Sequence, residues 1–370
     1  MKGQELFSQY VIGGIPQEFT PAQILDAMCE TPSAADTDGG TVIDEVVDPV
    51  LTPLDVDNDQ IDRYMALVSS AEKRMSLAFA GTYTRIRLLS SILDSLWRKG
   101  HFRLGDISLK ADWQWDTAPV GASSAFYESV QSVADFMDSL GIKLSSYSFR
   151  RSDESSLTFE PALSRDTEDS DEIFVKEAFR SEHPSMENKR ACPSVFADNP
   201  DSWIIYVPFE TCDFRLGGSL LAQTLGLGGG VALQIGDADY FMDCFEVVRE
   251  LVEDGIVLAG ATVSEGGLYK ALKGMAGEVT DVDADLSGLV SSYEESNVVR
   301  LLFAEVPGVL IQIKDSDFDY LDAELLLQDV AYFPLGHPLA GKGRISVRAS
   351  ARSSIQNILD SLIQNAEGED

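Results

Sequence analysis

Asp213-Phe214-Arg215-Leu216-Gly217-Gly218-Ser219-Leu220-Leu221-Ala222-Gln223 is the stretch on which the reading of this chain turns. Two glycines and a serine ahead of a Leu/Ala run read as a tight turn opening a helix, predicted from about Gly218 to Leu225. Glycine tolerates close backbone approach, and a serine oxygen accepts from an early helix amide. Upstream, Trp203-Ile204-Ile205-Tyr206-Val207 has the unbroken apolar pattern of a buried strand and marks a domain boundary. Downstream, the spacing predicts a helix from Ala238 to Asp254, a strand from Val257 to Val263 and a helix opening near Gly266. Val298 to Ala304 precedes a strand from Gly308 to Ile313; a short strand from Arg344 to Val347 and a helix from Ser353 to Asn365 follow.

On the N-terminal side, Thr20-Pro21-Ala22-Gln23 is a helix start, with a capping oxygen and a first-turn proline. Ile86, Leu89, Ile92, Leu93 and Leu96 repeat at helical spacing, which predicts Arg85, Arg87 and Asp94 on a solvated face. A strand from Asp106 to Ala111, a helix from Ser124 to Leu140 stopped by Gly141, and an alternating strand from Ile142 to Phe149 come next. The first 60 residues carry one base, Lys2, against twelve acids, and are expected to be partly extended, with a solvated loop from Thr31 to Gly40. Residues 166–187, rich in acids and proline, read as a mobile loop or interrupted hairpin. The predicted organisation is an acidic segment 1–60, an N-terminal domain 61–205, a C-terminal domain 206–350, and a helix and tail 351–370. Helices and strands alternate without a run of βαβ units, which favours an α+β (mixed α/β) fold.

Lys and Arg total 28 against 61 Asp and Glu, a net charge of −33. That field repels phosphate backbones and anionic lipid, so neither nucleic acid nor a membrane is an expected partner. No apolar run approaches the roughly 18 residues that a bilayer span requires. Met1-Lys2-Gly3-Gln4-Glu5 leads into no apolar stretch, so no secretory signal is expected. Cys29, Cys192, Cys212 and Cys244 are spread without metal spacing and read as reduced thiols of a cytoplasmic protein.

Gly226-Leu227-Gly228-Gly229-Gly230 lacks the strand before it and the Lys-Ser/Thr after it that a phosphate loop needs, and reads as a flexible turn. Asp55-Val56-Asp57-Asn58-Asp59 and Asp281-Val282-Asp283-Ala284-Asp285 begin like calcium loops. They lack the sixth-position glycine and twelfth-position glutamate, and read as solvated acid runs. His101, His183 and His337 have no metal or triad partner in sequence. No catalytic residue and no metal ligand is predicted.

The Asp213 to Gln223 block, Phe303-Ala304-Glu305-Val306-Pro307-Gly308-Val309-Leu310-Ile311-Gln312, Asp237 to Phe241 and Leu258-Ala259-Gly260 through Gly266-Gly267-Leu268 occur in a shared order. With Ile107 to Trp115 and Phe126 to Ile142, they resemble the second synthase-like repeat of phosphoribosylformylglycinamidine synthase. That glutamine- and ATP-dependent ligase of purine biosynthesis is in the aminoimidazole ribonucleotide synthase superfamily. The resemblance covers about Tyr64 to Leu339. It implies a two-domain fold, with an N-terminal sheet that pairs with a partner repeat into a barrel, followed by an α+β domain. It also implies Mg-ATP chemistry.

The departures fall on polar positions. Where the resemblance implies Glu and, one helical turn on, Asn, this chain has Leu88 and Ile92. Gly-Lys-Asp-Ser is replaced by Tyr147, Ser148, Phe149 and Arg150, Gly-Glu-Asp by Gly121-Ala122-Ser123, and His-Asp by Ala261-Thr262 with Glu265 nearby. Aliphatic groups cannot ligate magnesium or bind a triphosphate, so no cofactor is predicted. The implied first repeat, with its catalytic histidine, and the glutaminase triad lie outside this span. The expectation is a pseudoenzyme acting as a binding, scaffold or regulatory protein, or a subunit complementing an active synthase; a small-molecule sensor is a third reading. Arg215, Gly217, Gly218 and Ser219 are the candidate anion-binding residues. An isolated repeat would leave a sheet edge and an apolar face open, which predicts a homodimer through residues of about 60 to 160, or a heterodimer with a full synthase.

Overall fold

The computed structural model describes residues 4–29, 39–52, 54, 56–71, 74–98, 102–163 and 190–349. The expectations for 31–38, 166–187, His101, His183 and the helix from Ser353 to Asn365 fall outside them. The N-terminal half runs α1 (Gln4–Phe7), β1 (Gln9–Ile12), β2 (Ile15–Pro16), α2 (Pro21–Met28), β3 (Thr41–Asp44), α3 (Asn58–Leu67) and α4 (Ala80–Leu93). Then come β4 (Ile107–Trp115), α5 (Ala122–Leu140), β5 (Lys143–Arg151) and β6 (Ser156–Leu163). The C-terminal half holds β7 (Ser202–Pro208), α6 (Leu220–Leu225), α7 (Ala238–Glu253), β8 (Val257–Val263), α8 (Gly267–Ala276) and β9 (Thr280–Asp285). It continues with α9 (Ser287–Ser292), α10 (Val298–Phe303), β10 (Gly308–Lys314), α11 (Phe318–Leu327), β11 (Phe333–Gly336), β12 (Pro338–Ala340) and β13 (Ile345–Arg348). The fold is mixed α+β.

The acidic N-terminal stretch is folded to a greater extent than its composition predicts. Thr20 and Gln23 form a reciprocal capping box at α2, and β1 pairs antiparallel with β2 and parallel with β3. This segment also lies along the edge of β5. The Tyr147 hydroxyl donates to Asp26 at 2.8 Å, Cys29 bridges to Leu144, and Arg151 pairs with Glu5. The chain's own N-terminus therefore meets one sheet edge that was expected to be open.

β5, β4 and β6 form a sheet in that order, β4 running parallel to β5 through the α5 crossover and antiparallel to β6. Trp113, Trp115, Leu157 and Phe149 are buried on one face of it. The other face is polar, which corrects the expectation of an apolar one. Lys110 pairs with Glu160 at 3.0 Å, and Arg150 with Asp112 at 2.7 Å. The alternation of each strand puts its charged residues together on this side.

α4 is a second correction. Arg87 is 8% exposed and Leu88, Leu89, Ile92 and Leu93 are fully buried, so the helix has no fully solvated face there. It packs against α5, β6, β8 and β10 at once. β7 lies between β11 and β10, with β8 beyond β10, in an all-antiparallel sheet. A division at 205/206 would cut β7, whose ladder with β10 begins at Ser202.

The acid runs are structural. Asp57 caps α3 by accepting from the Gln60 amide. On β9, Asp281 accepts from the Lys342 and Arg344 amides and pairs with the Arg344 side chain, and Asp283 pairs with Arg348. Sequence spacing alone cannot show that β13 brings arginines alongside.

Candidate functional site

Leu88, Ile92, Ala261 and Thr262, at which a departure from the resemblance is expected, converge where α4 meets β8. Leu88 and Ile92 are 0% exposed on α4. Thr262 on β8 donates to Asp94 at 2.6 Å and accepts from the Trp97 indole at 3.0 Å. The Trp97 ring lies so close to Gly260 that an added Cβ would sit 2.2 Å from it. Beside this network, Arg87 Nε and Nη2 donate to Glu265 Oε1 at 3.2 and 3.1 Å, and Nη1 donates to the Leu157 carbonyl at 3.4 Å.

A cavity of about 260 Å³ opens over this contact, lined by Arg87, Ser90, Ser91, Asp94, Thr158 and Glu265 among others. Arg87, Ser90, Ser91, Asp94 and Glu265 are engaged with the chain. Ser90 and Ser91 donate to the Ile86 and Leu88 carbonyls at 2.6 and 2.8 Å, and the Arg87 and Glu265 charges oppose each other. The resemblance implies Mg-ATP, and these residues do not fit it. The charged pair is mutually neutralised, the helix face carries aliphatics, and the volume is below the roughly 300 Å³ at which small-molecule pockets begin. Among the described residues, no group of three or more His, Cys, Asp or Glu side chains could hold a metal.

Tyr147, Ser148, Phe149 and Arg150 are not part of this site. They lie on β5, with β4 between them and β6, about 10 Å from the cavity side of the sheet at ordinary strand spacing. Ser148 and Arg150 both donate to Asp112; burial pushes that carboxyl up, but these bonds outweigh it and hold it below its ordinary value. Phe149 packs edge-on against Phe126 at 4.7 Å.

The expected anion set divides. Gly217, Gly218 and Ser219 are buried at the start of α6, where Ser219 caps the helix by accepting from Ala222. Gly218 (φ +72°) sits under Phe79 and Tyr83, leaving no room for a side chain. The acceptor beside this turn is internal: Glu305 Oε1 takes the Leu220 amide at 2.9 Å. Arg215 instead pairs with Asp213 at 2.6 Å and lines a pocket of about 410 Å³ with Glu210 and Gln234.

Another carboxylate fills a second amide cluster. Asp44 accepts from Gly121 and Ser123 at 2.9 Å and from Ser124 at 3.1 Å, at the start of α5, where the Gly-Glu-Asp pattern is lost. Farther along the same segment, the Val50 carbonyl accepts from Gly230 at 2.9 Å, so residues 44–50 reach from α5 to the glycine turn. Sequence reading missed Asp44, Arg87 and Glu305 as network residues; a signal was available only for Glu305, an acid standing alone in an apolar run.

The site and fold describe a mixed α+β protein in which the side chains of Arg87, Glu265 and Glu305 are buried. The chain resembles phosphoribosylformylglycinamidine synthases. It is 24% identical over 256 residues to the probable chloroplastic/mitochondrial enzyme of Arabidopsis thaliana, covering 68% of this chain and 17% of that protein. It is 22% identical over 265 residues to the human synthase, covering 68% of this chain and 18% of that one. The chain thus spans less than a fifth of the length of these relatives. No family model matches it. Among solved structures it is similar to Thermotoga maritima PurL complexed with FGAR (TM-score 0.49, 11% identity, 75% of this chain and 41% of that one). It is also similar to the hydrogenase maturation protein HypE in complex with ATP (TM-score 0.45, 13% identity, 72% of this chain and 76% of that one). Among the described residues no helix is long and apolar enough to cross a membrane.

Proposed function

We propose that this chain is a catalytically degenerate relative of one half of the synthase, its second repeat, and acts as a binding, scaffold or regulatory protein. The observation that carries the reading is the inward closure of the α4–β8 contact, where Arg87 is neutralised by Glu265 and Thr262 is held between Asp94 and Trp97. A nucleotide would have to break these bonds without gaining a metal ligand from Leu88 or Ile92. In this reading the N-terminal domain ends before Ser202. Calorimetric titration with ATP and magnesium is expected to give no saturable heat up to millimolar nucleotide. A micromolar dissociation constant overturns the reading.

A second reading is a subunit that completes an active ATP-dependent synthase with another chain. The β5-β4-β6 sheet favours it, since β6 has no second strand partner among the described residues. Amidine formation on mixing with a chain carrying the first repeat supports this reading, and inactivity of the stoichiometric mixture rejects it. In either case association runs through residues of about 60 to 160, as a homodimer or with a full synthase. Because each copy carries a net charge of −33 and the ion pairs on the open face lie within one chain, salt screens the repulsion between copies, and a homodimer is expected to strengthen as salt rises. Light scattering at tens of micromolar, in low and high salt, checks this.

A further inference from the structure

Glu305 lies where the two halves of the chain meet. It stands in the turn between α10 and β10 and is 0% exposed. Its Oε1 accepts the Leu220 amide at the start of α6 and the Gly266 amide ahead of α8, at 2.9 and 2.7 Å. Its Oε2 is buried with no hydrogen-bond partner among the described residues, and so is the Tyr64 hydroxyl of α3. The groups around it come from four elements. Tyr64 of α3 and Tyr83 of α4 both feel its charge, and the Tyr83 hydroxyl, which donates to the Gly217 carbonyl, also lies close enough to favour the ionised carboxyl. Glu265 approaches from the turn after β8, itself paired with Arg87 of α4, and the Lys270 stem of α8 lies against Gly266.

Two helix amides favour the ionised form, yet removal from water outweighs them. Burial, helped by the Glu265 charge and opposed by the Gly266 and Leu220 amides and the Tyr83 hydroxyl, pushes the Glu305 carboxyl up to about 7. A buried ion whose second oxygen makes no full hydrogen bond can be relieved by admitting water or by drawing the Tyr64 or Tyr83 hydroxyl closer, and either requires the surrounding helices to shift.

We infer that Glu305 is a proton-controlled clasp between α3 and α4 on one side and the starts of α6 and α8 on the other. Neutral, it seals the contact; ionised, it loosens it. Because the folded value of about 7 stands above the ordinary 4.5, the folded chain holds this proton more tightly than the unfolded one. The stabilisation is complete below the lower value and is lost as pH rises through the upper one.

The test is urea unfolding of the full chain at pH 6 and pH 8, with amide exchange read at Leu220 and Gly266 and corrected for intrinsic rates. Linkage predicts that this group lowers the folding constant about tenfold across that interval. Glu305→Gln is expected to lose that component and to slow exchange at both amides at pH 8 relative to the parent. Tyr64→Phe, which leaves Glu305 in place, is expected to keep the step. A parent chain without the step in exchange, or a folded Glu305→Gln variant that retains it, overturns the inference. Should Glu305→Gln fail to fold, the exchange profiles of the parent and of Tyr64→Phe decide it.

Discussion

Arg87 Nη2 and Glu265 Oε1 stand 3.1 Å apart with their side chains only 7% and 8% exposed, joining the central N-terminal helix to the turn after β8. Removing one member of a buried pair strands the other charge, which costs about 3–5 kcal/mol, whereas replacing both with apolar groups is far milder. Arg87→Met alone should therefore destabilise the chain by that amount. Arg87→Met combined with Glu265→Leu should recover most of the loss. A double-mutant cycle in urea measures the coupling, and additive losses reject the pair as a unit.

Asp44 accepts from three amides at the start of α5. Losing a cap of this kind costs about 1 kcal/mol. Asp44→Ala should lower the unfolding midpoint and speed amide exchange at Gly121, Ser123 and Ser124, while exchange within β10 stays as in the parent. Unchanged exchange at those three amides contradicts the capping role.

Asp281 contributes to the acid limb of stability, as do Asp112 and Asp285. Burial pushes its carboxyl up, but hydrogen bonds from the Arg344 and Lys342 amides and the Arg344 side chain outweigh this and hold it below its ordinary 3.8. A depressed folded value means the contribution is present above 3.8 and drains as pH falls through the folded value. Asp281→Asn should be less stable than the parent at pH 7 and lose less on acidification. Parallel stability curves for the two proteins below pH 4 would argue against it.

Gly260 must remain without a side chain. A Cβ there would meet the Trp97 ring at 2.2 Å, while one at Gly105 meets nothing within 4 Å. Gly260→Ala should cost about 1–3 kcal/mol through overpacking. Gly105→Ala serves as the neutral comparison, and equal thermal midpoints for the two variants reject the argument.

Elements whose residues carry their own periodicity were legible directly. The strand from Val257 to Val263 and the Thr20 cap followed by Pro21 lie where the spacing puts them. α3 was hidden because its Asp57 cap sits in an acid run that resembles a failed metal loop. β6 was hidden because Pro161 interrupts the alternation of Ser156, Thr158 and Glu160 with Leu157 and Phe159. At the site, that Leu88 and Ile92 put an aliphatic pair one helical turn apart could be read from the chain. What filled the space could not, because Arg87 and Glu265 are 178 residues apart.

By itself the sequence determined the α+β class, the longer helices and the central strands, the negative field and the resemblance to the synthase, since each rests on local pattern or composition. Only tertiary structure decided that Arg87 faces inward, that the exposed side of the β5-β4-β6 sheet is polar, and that Asp44 and Glu305 occupy backbone amide clusters. Those outcomes depend on which distant groups arrive together. A charge is tolerated in the interior only where another segment of the chain supplies its partner.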